Sequence, residues 1–212
     1  MNLRGIIFDL DGVLVHTDEL HYQAWKKLAD RLHIPFDRRV NDRLRGVSRM
    51  ASLEIILERA DRAFSEEEKL ALTEEKNATY RALLESMSPA DVSPEVTRTL
   101  SALRARGLRL AVGSSSKNAG FILRQTGLDA WMDAVSDGNN ITRSKPDPQV
   151  FLMAAERLGL PPKECAVVED AAAGIDAALA GGFLAVGVGD AAGYSRTQRP
   201  LHSFSELVDI LG

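Results

Sequence analysis

The stretch Phe8-Asp9-Leu10-Asp11-Gly12-Val13 directly follows the apolar run Gly5-Ile6-Ile7. An apolar run that ends in two acids and a glycine predicts a buried strand, spanning about residues 5–10, with a functional loop after it. Asp9 and Asp11 alternate with apolar residues, so both carboxylates should project to one side of an extended backbone. Two neighbouring negative charges are costly to bury unless a cation binds between them. A divalent metal ion and a phosphate ester would together meet that requirement.

The region from Thr17 to about residue 88 has helical patterning and no strand signal. Thr17 is a candidate cap for a first helix that Pro35 ends, and a second helical stretch runs up to Gly46. Ser65 followed by Glu68 forms a capping-box pattern for a helix through about Met87. A third helix between them carries one apolar stripe, formed by Leu53, Ile56, Leu57 and Ala60. These residues predict a helical bundle inserted into a different fold.

Strands and helices alternate in the rest of the chain. Strands are expected at Leu108–Val112, Asp133–Ser136, Ala166–Val168 and Phe183–Val188, and helices after Ser93 and over 117–126, 148–158, 172–180 and 205–211. Such alternation implies a parallel sheet covered on both faces. We therefore predict an α/β protein: a Rossmann-like doubly wound core of residues 1–15 and 89–212, with a helical cap subdomain of residues 16–88. The segment 190–200 is polar and poorly patterned.

The composition limits the classes of partner. Hydrophobic residues make up 45% and charged residues 26% of the 212, as in ordinary soluble globular proteins. The formal net charge of −4 provides no basic footprint, so we expect no nucleic-acid partner. Cys165 is the only cysteine, which favours a buried apolar role and a reducing cytoplasm. Since no stretch has the length of a membrane span or the pattern of a secretory signal, we expect no membrane partner.

Polar clusters follow three of the predicted strands, and ligands bind at the carboxyl ends of strands in open parallel sheets. Asp9 and Asp11 follow the first strand, a serine-rich run from Gly113 to Asn118 follows the second, and Glu169 with Asp170 follows Ala166–Val168. Lys145 lies in a Ser-Lys-Pro-Asp-Pro segment before another helix. Hydroxyls and backbone N–H groups at a helix start suit a phosphate, and carboxylates suit a hard cation such as Mg2+.

Each cluster has a simpler interpretation on its own. An Asp-x-Asp pair is commonly a turn, serines before helices are commonly caps, and a lysine beside proline is commonly a surface residue. An acidic pair after a strand can cap the following helix. Their occurrence in order, at the same end of successive elements, favours one shared site.

These motifs resemble the haloacid dehalogenase superfamily of phosphotransferases. The resemblance rests on Asp9-Leu10-Asp11-Gly12, Ser114, Lys145 and Glu169-Asp170. The chain is more specifically similar to the β-phosphoglucomutase family, over nearly its full length. The residues that carry this second similarity are His21, Trp25, Arg45-Gly46-Val47-Ser48-Arg49, Ser52, Lys76-Asn77 and Ser116-Lys117-Asn118.

The resemblance implies roles for the catalytic residues. Asp9 would be the nucleophile that becomes an aspartyl phosphate, and Asp11 would be the general acid and base. Ser114 and Lys145 would hold the transferring phosphoryl group. Mg2+ would bind to Asp9, the main-chain carbonyl of Asp11, Glu169 and Asp170.

It also implies the substrate, a small sugar phosphate. The reaction would interconvert β-D-glucose 1-phosphate and glucose 6-phosphate, with β-D-glucose 1,6-bisphosphate as phosphoryl donor, in a cytoplasmic enzyme that we expect to be a monomer. Arg49, Ser116, Lys117 and Asn118 would bind the second phosphate, and Gly46 and Val47 would line the sugar pocket. His21 and Lys76 would link cap closure to the placing of Asp11. The remaining residues expected at the substrate are Trp25 and Ser52.

One departure and two alternatives remain open. Position 16 is histidine where relatives carry aspartate, at the passage into the cap. The same nucleophile would serve a Mg-dependent sugar-phosphate phosphatase. A catalytically silent phosphate-binding protein on this scaffold is the alternative from a different class.

Overall fold

The chain forms two compact units in a computed structural model that describes residues 2–44 and 47–211. One unit comprises Met1–His16 and Met87–Gly212, and the other is Thr17–Ser86. His16, the departure noted above, is exposed and is the last residue of the first segment.

The α/β unit is built on a six-stranded sheet with the order β3-β2-β1-β4-β5-β6. All its strand pairs are parallel. The strands are β1 Gly5–Phe8, β2 Arg109–Gly113, β3 Ala134–Ser136, β4 Cys165–Glu169, β5 Leu184–Gly187 and β6 Arg199–Pro200. The order runs outward in both directions from the β1–β4 pair, so the sheet is doubly wound as predicted.

Every residue of β1 and β4 is buried, because helices cover the sheet. These helices are α5 Pro94–Ala105, α6 Ala119–Thr126, α7 Gln149–Leu158 and α8 Ala172–Ala180, and the first four helices of the chain belong to the helical unit. Ile7 and Ala111 pack in one buried cluster with Phe151 of α7 and Ile175 of α8. Phe8 points to the opposite face, where its ring lies 5.9 Å from that of Phe204. Gly127 and Gly159 end α6 and α7 in the left-handed conformation.

Two elements at the end of the chain differ from expectation. The helix expected over 205–211 is present, but as a 3-10 helix, Phe204–Leu211. Its buried residues Phe204 and Leu207 are three apart, which matches the three residues per turn of that helix. Strand β6 was not expected, because it is a two-residue exposed strand containing a proline, which only a sheet edge tolerates.

The helical unit contains α1 Asp18–Arg31, α2 Arg38–Asp42, α3 Arg49–Leu57 and α4 Glu66–Leu84. The capping box of Ser65 and Glu68 is confirmed. Thr17 does precede α1, but its side chain makes no capping hydrogen bond, because its backbone is not extended as a capping residue requires. The second helix ends at Asp42, short of the predicted Gly46, and Ala60 lies beyond the end of α3.

Cys165 opens β4 and is fully buried. Burial raises the pKa of its thiol to about 11, so the thiol stays protonated and behaves as a small apolar group, as expected. Within residues 2–44 and 47–211, no helix combines the length and the apolar character that crossing a bilayer requires.

Candidate active site

The candidate site lies where the strand order reverses, at the carboxyl ends of β1 and β4. Asp9 directly follows β1, Glu169 is the last residue of β4 and Asp170 comes next. The backbone N–H of Asp9 donates to the Val168 carbonyl oxygen at 2.9 Å, which extends the β1–β4 pairing by one residue. Strand β1 is therefore shorter than the predicted 5–10, and the loop begins at Asp9.

Three carboxylates converge at this point. Oxygens of Asp9, Glu169 and Asp170 all lie within 4.8 Å of one another. The three residues are only 8%, 1% and 9% exposed, respectively. Asp11 is half-buried in the turn that follows, and its carboxylate is not part of this cluster. That turn, with Gly12 at φ +81°, ends the extended backbone on which Asp9 and Asp11 were expected to project together.

Lys145 supplies positive charge to the cluster. Its ammonium donates to Asp9 Oδ1 at 2.6 Å and to Glu169 Oε1 at 2.5 Å. Burial by itself would lower the pKa of Lys145, but the two adjacent carboxylates outweigh burial and raise it. The lysine therefore stays charged, with its Nζ also 4.7 Å from the centre of the Phe151 ring.

Burial raises the pKa of Glu169 to about 7, and the neighbouring charges of Asp9 and Asp170 act in the same direction against the opposing effect of Lys145. One lysine therefore does not balance the negative charge of the cluster. A hard divalent cation prefers carboxylate oxygens and would supply the missing charge. The donor set of Asp9, Glu169 and Asp170 thus fits Mg2+, as the sequence predicted for these three side chains.

Two glycines make room for the cluster. A Cβ on Gly12 would lie 2.2 Å from Asp170 Oδ2, and a Cβ on Gly174 would lie 1.9 Å from Glu169 Cδ. Gly174 is in the first turn of α8, so the glutamate side chain lies against the helix start, where Glu169 Oε2 accepts from the Ala171 N–H at 3.0 Å. Sequence inspection missed Gly174, because an isolated glycine in an alanine-rich helix does not reveal what it contacts.

The serine-rich loop follows β2 and leads into α6. Ser114 Oγ accepts from the Ser116 N–H at 3.1 Å, and Ser116 Oγ accepts from the Asn118 N–H at 3.2 Å. In both hydrogen bonds the serine hydroxyl is the acceptor, so its own proton is not used there. Each hydroxyl can therefore still donate to an anion. Ser114 and Asn118 are buried and Lys117 is exposed.

Two further serine hydroxyls are buried in and beside the serine-rich loop. Among the described residues, the Oγ atoms of Ser115 and Ser136 are buried without a hydrogen-bond partner. Neither serine was singled out in the sequence, where the first is one of three consecutive serines and the second reads as a strand residue.

The helical unit holds a cluster of its own around His21. Lys76 Nζ lies 2.8 Å from His21 Nδ1, and since an ammonium only donates, Nδ1 is the acceptor. The His21 ring stacks on Tyr80 at a centroid distance of 4.0 Å. Burial, followed by the charges of Lys76 and Arg49, lowers the pKa of His21 well below 6.5. His21 is therefore neutral, with its proton on Nε2.

The other residues expected at the substrate occupy different environments within that unit. Trp25 is part of the unit's apolar core, with Lys76 Nζ 4.8 Å from its ring centre. Ser52 is buried in α3, Val47 is exposed, and Arg49 opens α3 with its pKa lowered by burial. Gly46 lies outside the described residues.

The fold and the site together define a class of enzyme. Residues 3–182 match the haloacid dehalogenase-like hydrolase family, and the chain belongs to that family. It is accordingly an enzyme, and its relatives place it among phosphotransferases and isomerases.

Two curated relatives and one solved structure refine that class. A beta-phosphoglucomutase of Bacillus subtilis (strain 168) is 42% identical over 88% of this chain and 84% of its own length. A fructose-1-phosphate phosphatase of Escherichia coli (strain K12) is 35% identical over 87% of this chain and 95% of its own length. The crystal structure of beta-phosphoglucomutase from Clostridium difficile matches with a TM-score of 0.90 and 37% identity, over 97% of this chain and 93% of that one. The similarity to β-phosphoglucomutases expected from the motifs is confirmed.

We predict that Gly174→Ala weakens Mg2+ binding by about tenfold or more, because the added methyl group displaces the Glu169 carboxylate. The measurement is Mg2+ titration by calorimetry, supported by the Mg2+-dependent rise in Tm. Gly120→Ala in α6 is the matched control, since its Cβ would meet nothing closer than 3.5 Å. Wild-type Mg2+ affinity in Gly174→Ala would show that the glutamate does not depend on this space.

We also predict that the His21 imidazole remains neutral at pH 6.5, in an NMR titration of 15N-labelled protein. The folded pKa lies below the unfolded value, so the unfolded chain binds more protons between the two values. The free energy of unfolding therefore falls as the pH drops through that window. Lys76→Met should raise the pKa of His21 by removing the adjacent charge, and an unchanged titration in this variant would contradict the assignment.

Proposed function

We propose that this enzyme is a β-phosphoglucomutase that interconverts β-D-glucose 1-phosphate and glucose 6-phosphate. The observation that carries the proposal is the buried Asp9, bonded to Lys145 beside two further carboxylates at the switch point of the sheet. A carboxylate in that position is suited to accept a phosphoryl group. The 42% identity to a protein named beta-phosphoglucomutase favours transfer between two positions of one sugar.

The proposed reaction has two half-reactions. In the first, a carboxylate oxygen of Asp9 forms a bond to one phosphorus of β-D-glucose 1,6-bisphosphate. The bond between that phosphorus and its sugar oxygen breaks, which leaves a glucose monophosphate. Asp11 donates a proton to that oxygen as it leaves. In the second, the free hydroxyl of the other isomer of glucose monophosphate forms a bond to that phosphorus as the bond to Asp9 breaks, which re-forms the bisphosphate. Asp11 accepts the proton of the attacking hydroxyl. The intermediate sugar, β-D-glucose 1,6-bisphosphate, is also the phosphoryl donor that starts the cycle.

We assign the residues around Asp9 to offsetting the charge of the transferring phosphoryl group and to holding it in position. Lys145 offsets the charge of the transferring group, and Ser114, whose hydroxyl proton is free to donate, binds one of its oxygens. Glu169, Asp170, Asp9 and the main-chain carbonyl of Asp11 would hold Mg2+, which would supply further positive charge to the phosphoryl oxygens.

The second phosphate and the sugar need their own contacts. We assign the non-reacting phosphate to Ser116, Lys117 and Asn118 of the α/β unit and to Arg49 of the helical unit. Gly46 and Val47 are assigned to the sugar, together with Trp25, Ser52, His21 and Lys76. We propose that residues 1–15 and 89–212 act as the core domain and residues 16–88 as the cap. We further propose a monomer in the cytoplasm.

A sugar-phosphate phosphatase is the second candidate. The 35% identity to a protein named fructose-1-phosphate phosphatase favours it. Both activities use the same aspartyl phosphate and differ in whether water or a second sugar hydroxyl accepts the phosphoryl group. The higher identity to the protein named beta-phosphoglucomutase, 42% against 35%, is what favours the mutase.

We predict that Asp9→Asn lowers turnover of sugar phosphates by about a thousandfold or more, because the amide is a poor nucleophile. Intact-mass measurement after a short incubation with bisphosphate should show a phosphorylated fraction in the wild type and none in the variant. Asp129→Asn, an exposed change of the same chemistry, should behave as the wild type. Wild-type turnover in Asp9→Asn would overturn the assignment of Asp9 as the nucleophile.

We predict that Lys117→Ala lowers the interconversion of glucose phosphates by roughly tenfold to a hundredfold, because a charged partner of the second phosphate is lost. Hydrolysis of a monophosphate such as p-nitrophenyl phosphate should stay within about twofold, since it needs only one phosphate contact. Lys163→Ala, at an exposed lysine of the same unit, is the control. Products are identified by NMR with both anomers of glucose 1-phosphate, and inorganic phosphate as the sole product would establish the phosphatase instead.

A further inference from the structure

A turn of residues 137–140, Asp137-Gly138-Asn139-Asn140, follows β3 and lies against the serine-rich loop. The turn is held by its own side chains. Asp137 Oδ1 accepts from the Asn139 N–H at 2.9 Å, and Asn140 Oδ1 accepts from the Asp137 N–H at 3.2 Å. Short polar side chains that bond to nearby backbone make such turns rigid. None of these four residues belongs to the motifs recognised in the sequence.

The turn bonds to two consecutive carbonyls of the loop. The Gly138 N–H donates to the Ser116 carbonyl oxygen at 3.2 Å. Asn139 Nδ2 donates to the Lys117 carbonyl oxygen at 3.0 Å, and the same amide group donates to Asp137 Oδ2 at 3.2 Å. The Asn139 side chain is therefore oriented by one residue of the turn while it holds the loop.

Close packing at Gly138 adds to these bonds. A Cβ on this glycine would lie 2.4 Å from the Ser115 carbonyl oxygen and 2.9 Å from the Lys117 backbone nitrogen. Both are main-chain atoms, which cannot rotate away as a side chain can. A larger residue at position 138 would therefore push the part of the loop from Ser115 to Lys117.

The turn of residues 137–140 is also hydrogen-bonded to helix α7. Arg157 Nη1 donates to Asn140 Oδ1 at 3.0 Å, and the same group donates to the carbonyl oxygen of Val135 in β3. The serine-rich loop is thus tied through the turn to a strand and a helix of the α/β unit.

The contacts divide the loop into two parts. The Ser114 N–H donates to the Ser136 carbonyl oxygen at 3.1 Å, so the start of the loop is held by the end of the sheet. Gly138 and Asn139 hold the carbonyls of Ser116 and Lys117. Because the peptide unit is planar, a fixed carbonyl also fixes the direction of the next N–H. The turn therefore sets the backbone that carries Lys117 and Asn118.

We propose that Asn139 and Gly138 are positioning residues for the phosphate that does not react. They orient Lys117 and Asn118 through the loop backbone and do not touch the substrate. The inference rests on the proposed function, which assigns these two residues to the second phosphate. Ser114, at the reacting phosphate, is held by β3 and should not depend on the turn.

The test compares substrates with one and with two phosphate contacts. Asn139→Asp keeps the shape of the side chain but loses both amide N–H donors, Asn139→Ala removes the side chain, and Gly138→Ala introduces the Cβ. Each should raise KM for β-D-glucose 1,6-bisphosphate roughly fivefold or more, with a smaller change in kcat. Hydrolysis of acetyl phosphate, which carries one phosphate, should stay within about twofold. Asn2→Ala and Gly193→Ala, at exposed positions of the same unit, are the matched controls.

The outcomes separate the inference from the function on which it rests. If Lys117→Ala raises KM for the bisphosphate but both Asn139 variants match Asn2→Ala, the positioning role is wrong and the function stands. A parallel fall in acetyl phosphate hydrolysis and in Tm would make the turn a general structural element and also overturn the inference. If the wild type does not use the bisphosphate at all, the proposed function itself fails.

Discussion

The ammonium of Lys145 bonds to the carboxylates of Asp9 and Glu169 in a part of the protein that excludes water. Like charges that are buried together repel strongly, since a low dielectric does not screen them. Lys145 offsets part of that repulsion, but it is one ammonium among three carboxylates, and burial still raises the pKa of Glu169. The three carboxylates fit a further cation, and such a cation would offset the charge that the proposed phosphoryl group adds. The chemistry proposed for Asp9 depends on this balance.

The parallel sheet makes that balance possible. Lys145 and Asp9 are 136 residues apart in sequence, and they meet because the segments that follow parallel strands, here β3 and β1, leave the sheet at the same edge. The strand order reverses between β1 and β4, so their following loops diverge and leave space there. Burial of the strands on both faces gives rigid supports for side chains whose positions determine the electrostatics.

Glycines determine how closely the loops and helices around the site can approach one another. Gly12 lies against Asp170, Gly174 against Glu169, and Gly138 against the main chain of the serine-rich loop. In each case the nearest atoms belong to a candidate ligand or to the loop that precedes α6. Because these glycines have no side chain, the carboxylates and the loop backbone that other parts of the sequence supply can lie close to them.

The sequence by itself determined the parallel α/β core, the inserted helices and the metal-type cluster of Asp9, Glu169 and Asp170, because these follow from local periodicity and from polar residues at strand ends. Only the tertiary structure revealed the edge strand β6, the 3-10 geometry of Phe204–Leu211 and the roles of Gly174 and Asn139. The sequence around these residues does not indicate what they contact, since a glycine or an exposed asparagine is common in any loop or helix. What gives such residues meaning is a neighbour distant in sequence, and the packing of the folded chain alone decides which neighbour that is.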